Sequence, residues 1–350
     1  MTDYPIFTEN SFEALNRFIE SMEPAVSQIY ILCDENTHLH CIAPLVRNVA
    51  VLENAEILEI DAGEQNKNLD IVHRLWEVLA ENNVDRQALI VNLGGGMITD
   101  LGGFMASVYK RGIRFINVPS SLLAMVDAAV GGKTGIDLGN LKNQLGCFTN
   151  PQAVCVWSGF LETLPINELN SGYGELIKYA LIDKDKLWED FWEQGFQEVS
   201  GLTPFIQKAL EIKMEIVRKD PYESGLRKVL NFGHTYGHAL ESLALKKGNP
   251  MMHGEAVALG IICELWHSVR RYNFPEDRFE QIKAFILDGF SKPQISEEDF
   301  EQIIGFMQKD KKNHSDKIAI VLLEDLGVYH VDESLSPEEV EECLQNFIRF

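Results

Sequence analysis

Residues 88–119 read ALIVNLGGGMITDLGGFMASVYKRGIRFINVP, and this run decides the fold. ALIVNL (88–93) is apolar and of strand length, Gly94-Gly95-Gly96 follows at once, and IRFINVP (113–119) is a second strand beyond a helical stretch. Three glycines between a strand and a helix let the backbone approach a ligand closely, and the helix start offers its N–H groups to a pyrophosphate. The spacing is not the GxGxxG dinucleotide fingerprint, and a tight strand-to-helix turn without a ligand would also explain the glycines. Outward from this run, QIYILC (28–33), EILEID (56–61) and AVCVW (153–157) read as further strands. Between them LDIVHRLWEVLAENN (69–83) has apolar residues at helical spacing. Strands alternating with helices in this way predict a parallel sheet covered by helices. From about residue 161 the pattern changes. Amphipathic helical stretches are expected over 174–194, 202–219, 232–246, 254–272, 276–289 and 297–309, with an acidic helix near 332–342. Only KIAIVLLE (317–324) and VYHV (328–331) look extended. The expectation is an α/β N-terminal domain with a parallel sheet over 1–160, followed by a mainly α-helical domain over 161–350.

Composition bounds the function. The chain has 350 residues, 45% apolar and 24% charged, the profile of a globular protein with a sizeable core. No apolar run reaches the ~18–20 residues of a membrane helix. The start, MTDYPIFTENSFEAL, lacks the basic and apolar segments of a secretory signal, so a cytoplasmic protein without a membrane partner is expected. Thirty-one Lys and Arg against 53 Asp and Glu give a net charge of −22, which disfavours nucleic acid as a partner. Any anionic substrate then needs a local gathering of basic residues. The six cysteines form no CxxC pair and read as reduced, mostly buried thiols.

Such a gathering lies in 107–143, where Lys110, Arg111, Arg114, Lys133 and Lys142 stand against only Asp127 and Asp137, and Asn143 adds an amide. Gly131-Gly132 sets Lys133 behind a flexible turn. An anion site fits this local reversal of charge better than a solvated face does. A second constellation follows. Asn231-Phe232-Gly233-His234-Thr235-Tyr236-Gly237-His238 puts two histidines at i and i+4 on one helical face, with His253 in MMHGEA and Glu175 in GYGELIK. Histidines with a carboxylate supply the N/O ligands of a catalytic zinc, which keeps a position open for water or substrate. A single histidine on an apolar face is ordinarily a core residue; three with a glutamate in the helical half favour a metal site over that reading, although spacing leaves open whether His234 and His238 both bind metal. Lys178, Lys213, Arg227 and the Lys311-Lys312-Asn313 run add basic groups nearby in sequence, for which surface charge is the plain alternative.

Together, Gly94-Gly95-Gly96, VPSSLLAMVDAAVGGKTGID, LKNQLGCF, GELIKYALI, LRKVLNFGHTYGHALE and HGEAVALG closely resemble the 3-dehydroquinate synthase family of sugar-phosphate cyclases. The resemblance runs from about residue 28 to 325. It implies conversion of 3-deoxy-D-arabino-heptulosonate 7-phosphate to 3-dehydroquinate and phosphate, the second step of the shikimate pathway, with NAD and Zn2+ or Co2+ as cofactors. The implied metal ligands are Glu175, His234 and His253, leaving His238 as the catalytic histidine of the proton network. The implied NAD contacts are Asp34, Asn36, Gly63, Glu64, Lys67, Gly95, Gly96, Asp100, Ser120, Ser121, Lys133, Lys142 and Thr163. The small phosphorylated sugar acid should meet Arg111, Asp127, Lys133, Asn143, Lys178, Lys213, Arg227, Asn231 and one lysine of Lys311-Lys312, with Lys312 preferred. The resemblance further implies a homodimer in which Arg111 reaches the neighbouring subunit's site. Ser120 and Ser121 stand where threonines are common and keep the hydroxyl. Thr99 stands where a glycine is common and Tyr173-Gly174 where Leu-Ala is, departures expected to alter loop geometry more than chemistry.

The implied chemistry suits this inventory, since transient oxidation acidifies the C–H beside the new ketone, phosphate leaves by elimination, and no separate strong base is required. Three alternatives remain on sequence grounds. Another sugar-phosphate cyclase, making an aminocyclitol or valiolone precursor, would share the cofactors, and Asn231, Lys213 and Arg227 speak against it. A metal-dependent alcohol dehydrogenase would have no use for the phosphate cluster. A nucleotide sensor with a structural metal would be expected to close its ion with four ligands.

Overall fold

The strand–glycine–helix–strand run folds as read. The computed structural model describes residues 4–139, 141–185, 187–196, 199–309 and 317–350. Two compact units divide the chain, one of Met1–Pro165 with Glu198–Met214 and the other of Ile166–Gln197 with Glu215–Phe350.

The first unit is built on a six-stranded sheet of β1 (Ile6–Phe7), β2 (Ile29–Asp34), β3 (Glu56–Ile60), β4 (Leu89–Gly94), β5 (Arg114–Pro119) and β8 (Val154–Cys155). Its spatial order is β1-β8-β5-β4-β2-β3 and every pairing is parallel. A parallel sheet is covered on both faces, so its central strands run apolar rather than alternating. All of β4 is buried. The one polar side chain there, Asn92, donates to Asn117 Oδ1 on β5 at 2.9 Å, and Asn117 donates onward to the Ala129 carbonyl at 2.8 Å. Leading from β2, the chain goes outward to β3 and returns to β4 on the other side of β2, so the order reverses there. Beyond the carboxyl ends of the strands at such a reversal lies the place where open α/β sheets take their ligands. Helix α1 (Ser11–Glu20) and the short α2 (Glu35–Thr37) and α3 (Ala43–Asn48) precede α4 (Leu69–Glu81) and α5 (Gly96–Val108). Helix α5 is buried almost all round. Its Gly102 lies so close to the sheet that a Cβ would sit 2.0 Å from Asn92 Oδ1.

Two features of this unit differ from the sequence reading. The tract after Gly132 forms an antiparallel hairpin of β6 (Lys133–Leu138) and β7 (Leu141–Phe148). Its glycines hid the strand pattern: Gly135 pairs with Gly146, where a Cβ would meet the Thr134 carbonyl at 2.4 Å. The basic tract is also split. Arg114 opens β5 at the amino end of the sheet, where its guanidinium binds the carbonyls of Pro24 and Gln87, far along the strand from Ser120.

The second unit is mainly helical: α6 (Ile166–Ile182), α7 (Leu187–Gln194), α9 (His234–Lys246), α10 (His253–Tyr272), α11 (Glu276–Gly289), α12 (Phe300–Gln308) and α13 (Pro337–Phe347), with the hairpin β9 (Ile318–Asp325) and β10 (Val328–Leu335). Helix α8 (Thr203–Lys219) is divided between the units after Met214. The stretch expected as one helix over 174–194 is α6 and α7, broken after Ile182. The acidic helix expected near 332–342 starts later, at Pro337, because β10 continues to Leu335 and Ser336 forms a capping box with Glu339. Helix α10 is the centre of the unit, with 14 of its 20 residues buried.

Two helices meet α10 backbone to backbone. A Cβ on Gly174 of α6 would lie 1.9 Å from the Gly254 carbonyl, and one on Gly254 would lie 1.7 Å from the Ser171 carbonyl. A Cβ on Gly260 would lie 1.9 Å from the carbonyl of Gly233, the residue before α9. Gly174, expected to matter as a loop residue, therefore sits inside a helix and sets a crossing. Thr99 likewise lies in the first turns of α5 and bonds the Gly96 carbonyl at 3.1 Å. In Gly174→Ala the two backbones must move apart, since neither neighbour is a flexible side chain. We expect this variant to lose at least ~1–3 kcal/mol of stability, the usual cost of overpacking, read as a lowered thermal midpoint.

Candidate active site

In the first unit the residues expected to meet a dinucleotide follow the carboxyl ends of successive parallel strands. Asp34 closes β2 and caps α2, accepting from the Thr37 amide at 2.9 Å, with Asn36 inside that short helix. Gly63, with φ of 106°, leads into Glu64 and Lys67 beyond β3. Gly95 and Gly96 lie between β4 and α5. A Cβ on Gly95 would stand 3.3 Å from Ser121 Oγ, and one on Gly96 would stand 3.2 Å from Ala128. Ser120 and Ser121 follow β5 and are buried, the Ser120 amide bonding the Gly94 carbonyl at 3.0 Å. Thr163 closes the 3-10 helix Ser158–Thr163 that follows β8, while Lys142 is exposed on β7. A bare glycine ledge at a helix start, flanked by two buried hydroxyls, has the shape and donors that a pyrophosphate requires. The residues fit a dinucleotide.

Lys67 ties three of these segments together. Buried to 3% exposure, its ammonium bonds Asp100 Oδ2 at 2.7 Å and Asn143 Oδ1 at 2.8 Å, with Glu64 at 3.5 Å. Burial works against the Lys67 charge, but Asp100 and Glu64 outweigh it and hold its pKa above the ordinary value. Lys67 is thus engaged with protein groups from the loop after β3, helix α5 and hairpin β6–β7. Asn143 has φ of 51° and is held there by its amide's bond to Asp137 Oδ1 at 2.7 Å. Lys213 donates to the carbonyl and carboxylate of Asp127, at 2.6 and 2.9 Å. Lys133 opens β6 and is exposed.

The second unit holds the other constellation. Glu175 on α6 is fully buried, and Lys178, one helical turn on, places its ammonium 2.5 Å from Glu175 Oε2. The other oxygen, Oε1, faces His234 Nε2 at 3.4 Å and His253 Nε2 at 3.3 Å. Among the described residues, these three form the group whose possible ligand atoms all lie within 4.8 Å of one another. The crossings explain the convergence, because Glu175, His234 and His253 are the chain neighbours of Gly174, Gly233 and Gly254. His238, one turn along α9, has its ring 5.3 Å from that of His234 and 5.8 Å from that of His253, beside the group rather than in it.

Each of the two histidines is held by its second nitrogen. His234 Nδ1 lies 3.1 Å from the Phe232 carbonyl and His253 Nδ1 lies 3.6 Å from Glu241 Oε2. Such partners fix the ring and direct the remaining nitrogen at an ion. Glu241, the last residue of GHALE, was passed over in the sequence reading, though its place one turn beyond His238 marks the same helix. Burial takes the His234 pKa down to about 4, whereas at His253 burial is outweighed by Glu175 and Glu241, which lift it to about 9. Burial also opposes the Glu175 charge, but Lys178 and His234 hold the carboxyl well below the usual carboxylate range. A buried carboxylate and two oriented imidazoles are a donor set that a divalent cation fits.

Just before α9 the 3-10 helix Leu226–Asn231 carries Arg227 and Asn231. Arg227 is 2% exposed and donates to the Pro221 carbonyl at 2.6 Å, and Asn231 donates to Glu223 Oε1 at 2.6 Å. Glu223 is a second residue that sequence reasoning missed. Its signal was its position four residues before Arg227, and its φ of 60° turns the loop there. Lys311 and Lys312 lie outside the described residues. Arg111 sits in the turn Tyr109–Arg111, exposed, with φ of 66° following Lys110 at 49°.

Residues 57–171 match the family model for the N-terminal part of 3-dehydroquinate synthase and residues 172–313 that for its C-terminal part. The chain is 39% identical to a 3-dehydroquinate synthase of Parabacteroides distasonis over 332 residues, which is 94% of this chain and 93% of that protein. It is 37% identical to one of Bacillus cereus over 351 aligned residues, 99% of this chain and 96% of that protein. Among solved structures it resembles a 2-deoxy-scyllo-inosose synthase complexed with carbaglucose-6-phosphate, NAD+ and Co2+, with a TM-score of 0.84 and 24% identity over 99% of this chain and 96% of the other. That last likeness speaks to the fold alone.

The buried pair of Lys178 and Glu175 generates a test. Removing one partner strands a buried charge, which costs about 3–5 kcal/mol. Lys178→Met should therefore unfold at markedly lower denaturant than the parent when both are compared after exhaustive chelation.

Proposed function

The chain belongs to the 3-dehydroquinate synthase family, and we propose how its own residues divide the work of that reaction. The enzyme converts 3-deoxy-D-arabino-heptulosonate 7-phosphate to 3-dehydroquinate and phosphate. The observation that carries the assignment of roles is the convergence of Glu175, His234 and His253 within 4.8 Å, beside His238 and Lys178.

In this reading the α/β part of the chain holds NAD through Asp34, Asn36, Gly63, Glu64, Lys67, Gly95, Gly96, Asp100, Ser120, Ser121, Lys133, Lys142 and Thr163. The helical part holds Zn2+ or Co2+ through Glu175, His234 and His253. When bound, the dinucleotide supplies a hydride acceptor that becomes the donor later in the same turnover, and the cation polarises neighbouring hydroxyls of the sugar. His238 takes the hydroxyl proton at an imidazole nitrogen, the side chain most often used for general-base work. Arg227 grips the substrate carboxylate with its planar fork. Asn231, Asn143 and Lys178 orient hydroxyls, while Lys133, Lys213 and one of Lys311 and Lys312 draw the phosphate, with Asp127 steering Lys213. Gathered lysines oppose the repulsion that a chain of charge −22 exerts on a phosphorylated acid. Among the described residues no helix is long and apolar enough to cross a membrane, and a cytoplasmic place is proposed from the metabolic family to which the chain belongs.

The test of this reading is stoichiometry. Phosphate release from the heptulosonate phosphate should require NAD, yet reduced nicotinamide should not accumulate, because hydride is taken from and returned to one molecule. Reduced nicotinamide growing in step with phosphate would favour a dehydrogenase.

We further propose that the chain acts as a homodimer and that Arg111 serves the partner's site. Arg111 is exposed on a turn of two left-handed residues, a conformation that costs about 1–2 kcal/mol per residue and persists only where the surroundings enforce it. Leu138 and Leu141, paired at the tip of the hairpin β6–β7, are also exposed, as is Phe148 at its base, apolar side chains that a second copy could cover. Arg111→Ala and Glu175→Ala should each be nearly inactive alone. Refolded together, their mixed dimers should regain one working site, the one with an intact Glu175 and the neighbour's Arg111. Absence of recovery, with mixed dimers verified by differently tagged chains, would refute the arrangement.

A further inference from the structure

Arg227 needs a fixed position to read a carboxylate, and its own segment is poor at providing one. It lies in the six-residue 3-10 helix Leu226–Asn231, entered through Gly225, and the loop before it contains Glu223 in the left-handed region at φ 60°. The side chain that holds this loop is Asp220. Its Oδ1 accepts from the Ser224 amide at 3.0 Å and the Ser224 hydroxyl at 3.1 Å. Its Oδ2 accepts from the Gly225 amide at 2.7 Å and the Arg227 amide at 3.0 Å. The Asp220 side chain is thus the centre around which 220–227 is wound. From the far side of the loop, Arg227 closes the circle by donating to the Pro221 carbonyl at 2.6 Å.

Helix structure alone does not account for this residue. Asp220 stands at the carboxyl end of α8, where its amide still bonds the Ile216 carbonyl at 3.0 Å. A carboxylate there meets the negative end of the helix dipole, an unfavourable place for it. It is also 7% exposed, so solvation does not offset that cost. What stabilises the charge is the set of loop donors, and charge-assisted bonds of this kind are about twice as strong as neutral ones. Consistent with this, burial works against the Asp220 charge, yet the amides of Gly225, Ser224 and Arg227 overcome it and take its pKa down to about 2.

We propose that Asp220 is a positioning residue for the reaction, holding Arg227 in place by binding the loop amides of Ser224, Gly225 and Arg227. The proposal rests on the reading of Arg227 as the carboxylate-binding residue. Asn at this position keeps the shape but has one acceptor oxygen where Asp has two, so in either orientation its NH2 faces loop donors, either the Gly225 and Arg227 amides or the Ser224 amide and hydroxyl, and half of the anchor is lost without loss of volume.

The experiment is a double-mutant cycle on the full-length, metal-loaded enzyme with saturating NAD, using D220N, R227A and the double variant. D220N should raise KM for the heptulosonate phosphate by about tenfold, the equivalent of one lost ~1.4 kcal/mol interaction, while KM for NAD and metal content stay at parental values. Because both changes act through one guanidinium, the double variant should be no worse than R227A within about twofold. Amide exchange at Gly225 and Arg227 should accelerate in D220N without substrate. A parental KM in D220N, or a double variant whose losses multiply, would overturn the role of Asp220. A parental KM in R227A would instead overturn the reading of Arg227, and the two failures are thereby distinct. Should D220N not fold, D220E takes its place under the same criteria, since it keeps the charge and carries the carboxylate one methylene away from the loop amides.

Discussion

Three helices of the second unit cross with backbone against backbone at Gly174, Gly254, Gly233 and Gly260, and the chemistry depends on that contact. Side chains any larger would hold α6, α9 and α10 at an ordinary interaxial distance of 8–10 Å or so. With the backbones in contact, the residues beside the glycines are forced to face one another. Glu175, His234 and His253 meet because their neighbours have no side chains. A buried carboxylate with two imidazoles aimed at it is a costly arrangement for a fold, since each group loses solvation. The packing imposes it, and Lys178, Glu241 and the Phe232 carbonyl supply the partners that keep it tolerable.

The first unit solves a different problem with a related device. There the glycines stand at the end of a strand, and what they leave bare is a ledge beside Ser121 and Ala128 rather than a crossing with another helix. Parallel pairing sends every strand's carboxyl end to one side of the sheet, so loops far apart in sequence deliver Asp34, Lys67, Gly95 and Ser120 to one edge. Lys67 then fastens the loop after β3 to α5 and to Asn143 of the hairpin. Buried charge in this protein is consistently used to fix segments to one another. Lys67 does so in the first unit, and Asp220 does so in the second.

A surplus of 22 negative charges over the whole chain stands against the phosphorylated acid that the proposed reading brings to Lys178, Lys213 and Arg227. The conflict is resolved locally, by pairing. Lys213 is set by Asp127 and Lys178 by Glu175, so these cations are held in register rather than dispersed over the surface. Arg227 is packed against a carbonyl and tethered through its amide to a carboxylate. Pairing of this kind reduces the net attraction for an anion but fixes where the attraction acts, which is what orientation of a substrate requires.

The sequence by itself determined the alternation of strands and helices in the first half and the helical character of the second. Strand length, apolar runs and 3.6-residue spacing are local properties, and local properties are legible in a chain. It offered the candidates for a metal group as well, three histidines and a glutamate in the helical half, but their spacing did not say which of them converge. It did not determine the hairpin β6–β7, whose glycines erase the alternation that marks a strand, nor the break between α6 and α7. Glu241, Glu223 and Asp220 escaped notice because an acidic residue in an acidic chain carries no signal until its partners are known. Gly174 looked like a detail of a loop for the same reason. What it touches, the Gly254 carbonyl 80 residues away, exists only once two helices have crossed. Tertiary structure decided which His and Glu atoms share one point and which carboxylates organise loops, because convergence is a property of packing and not of order along the chain.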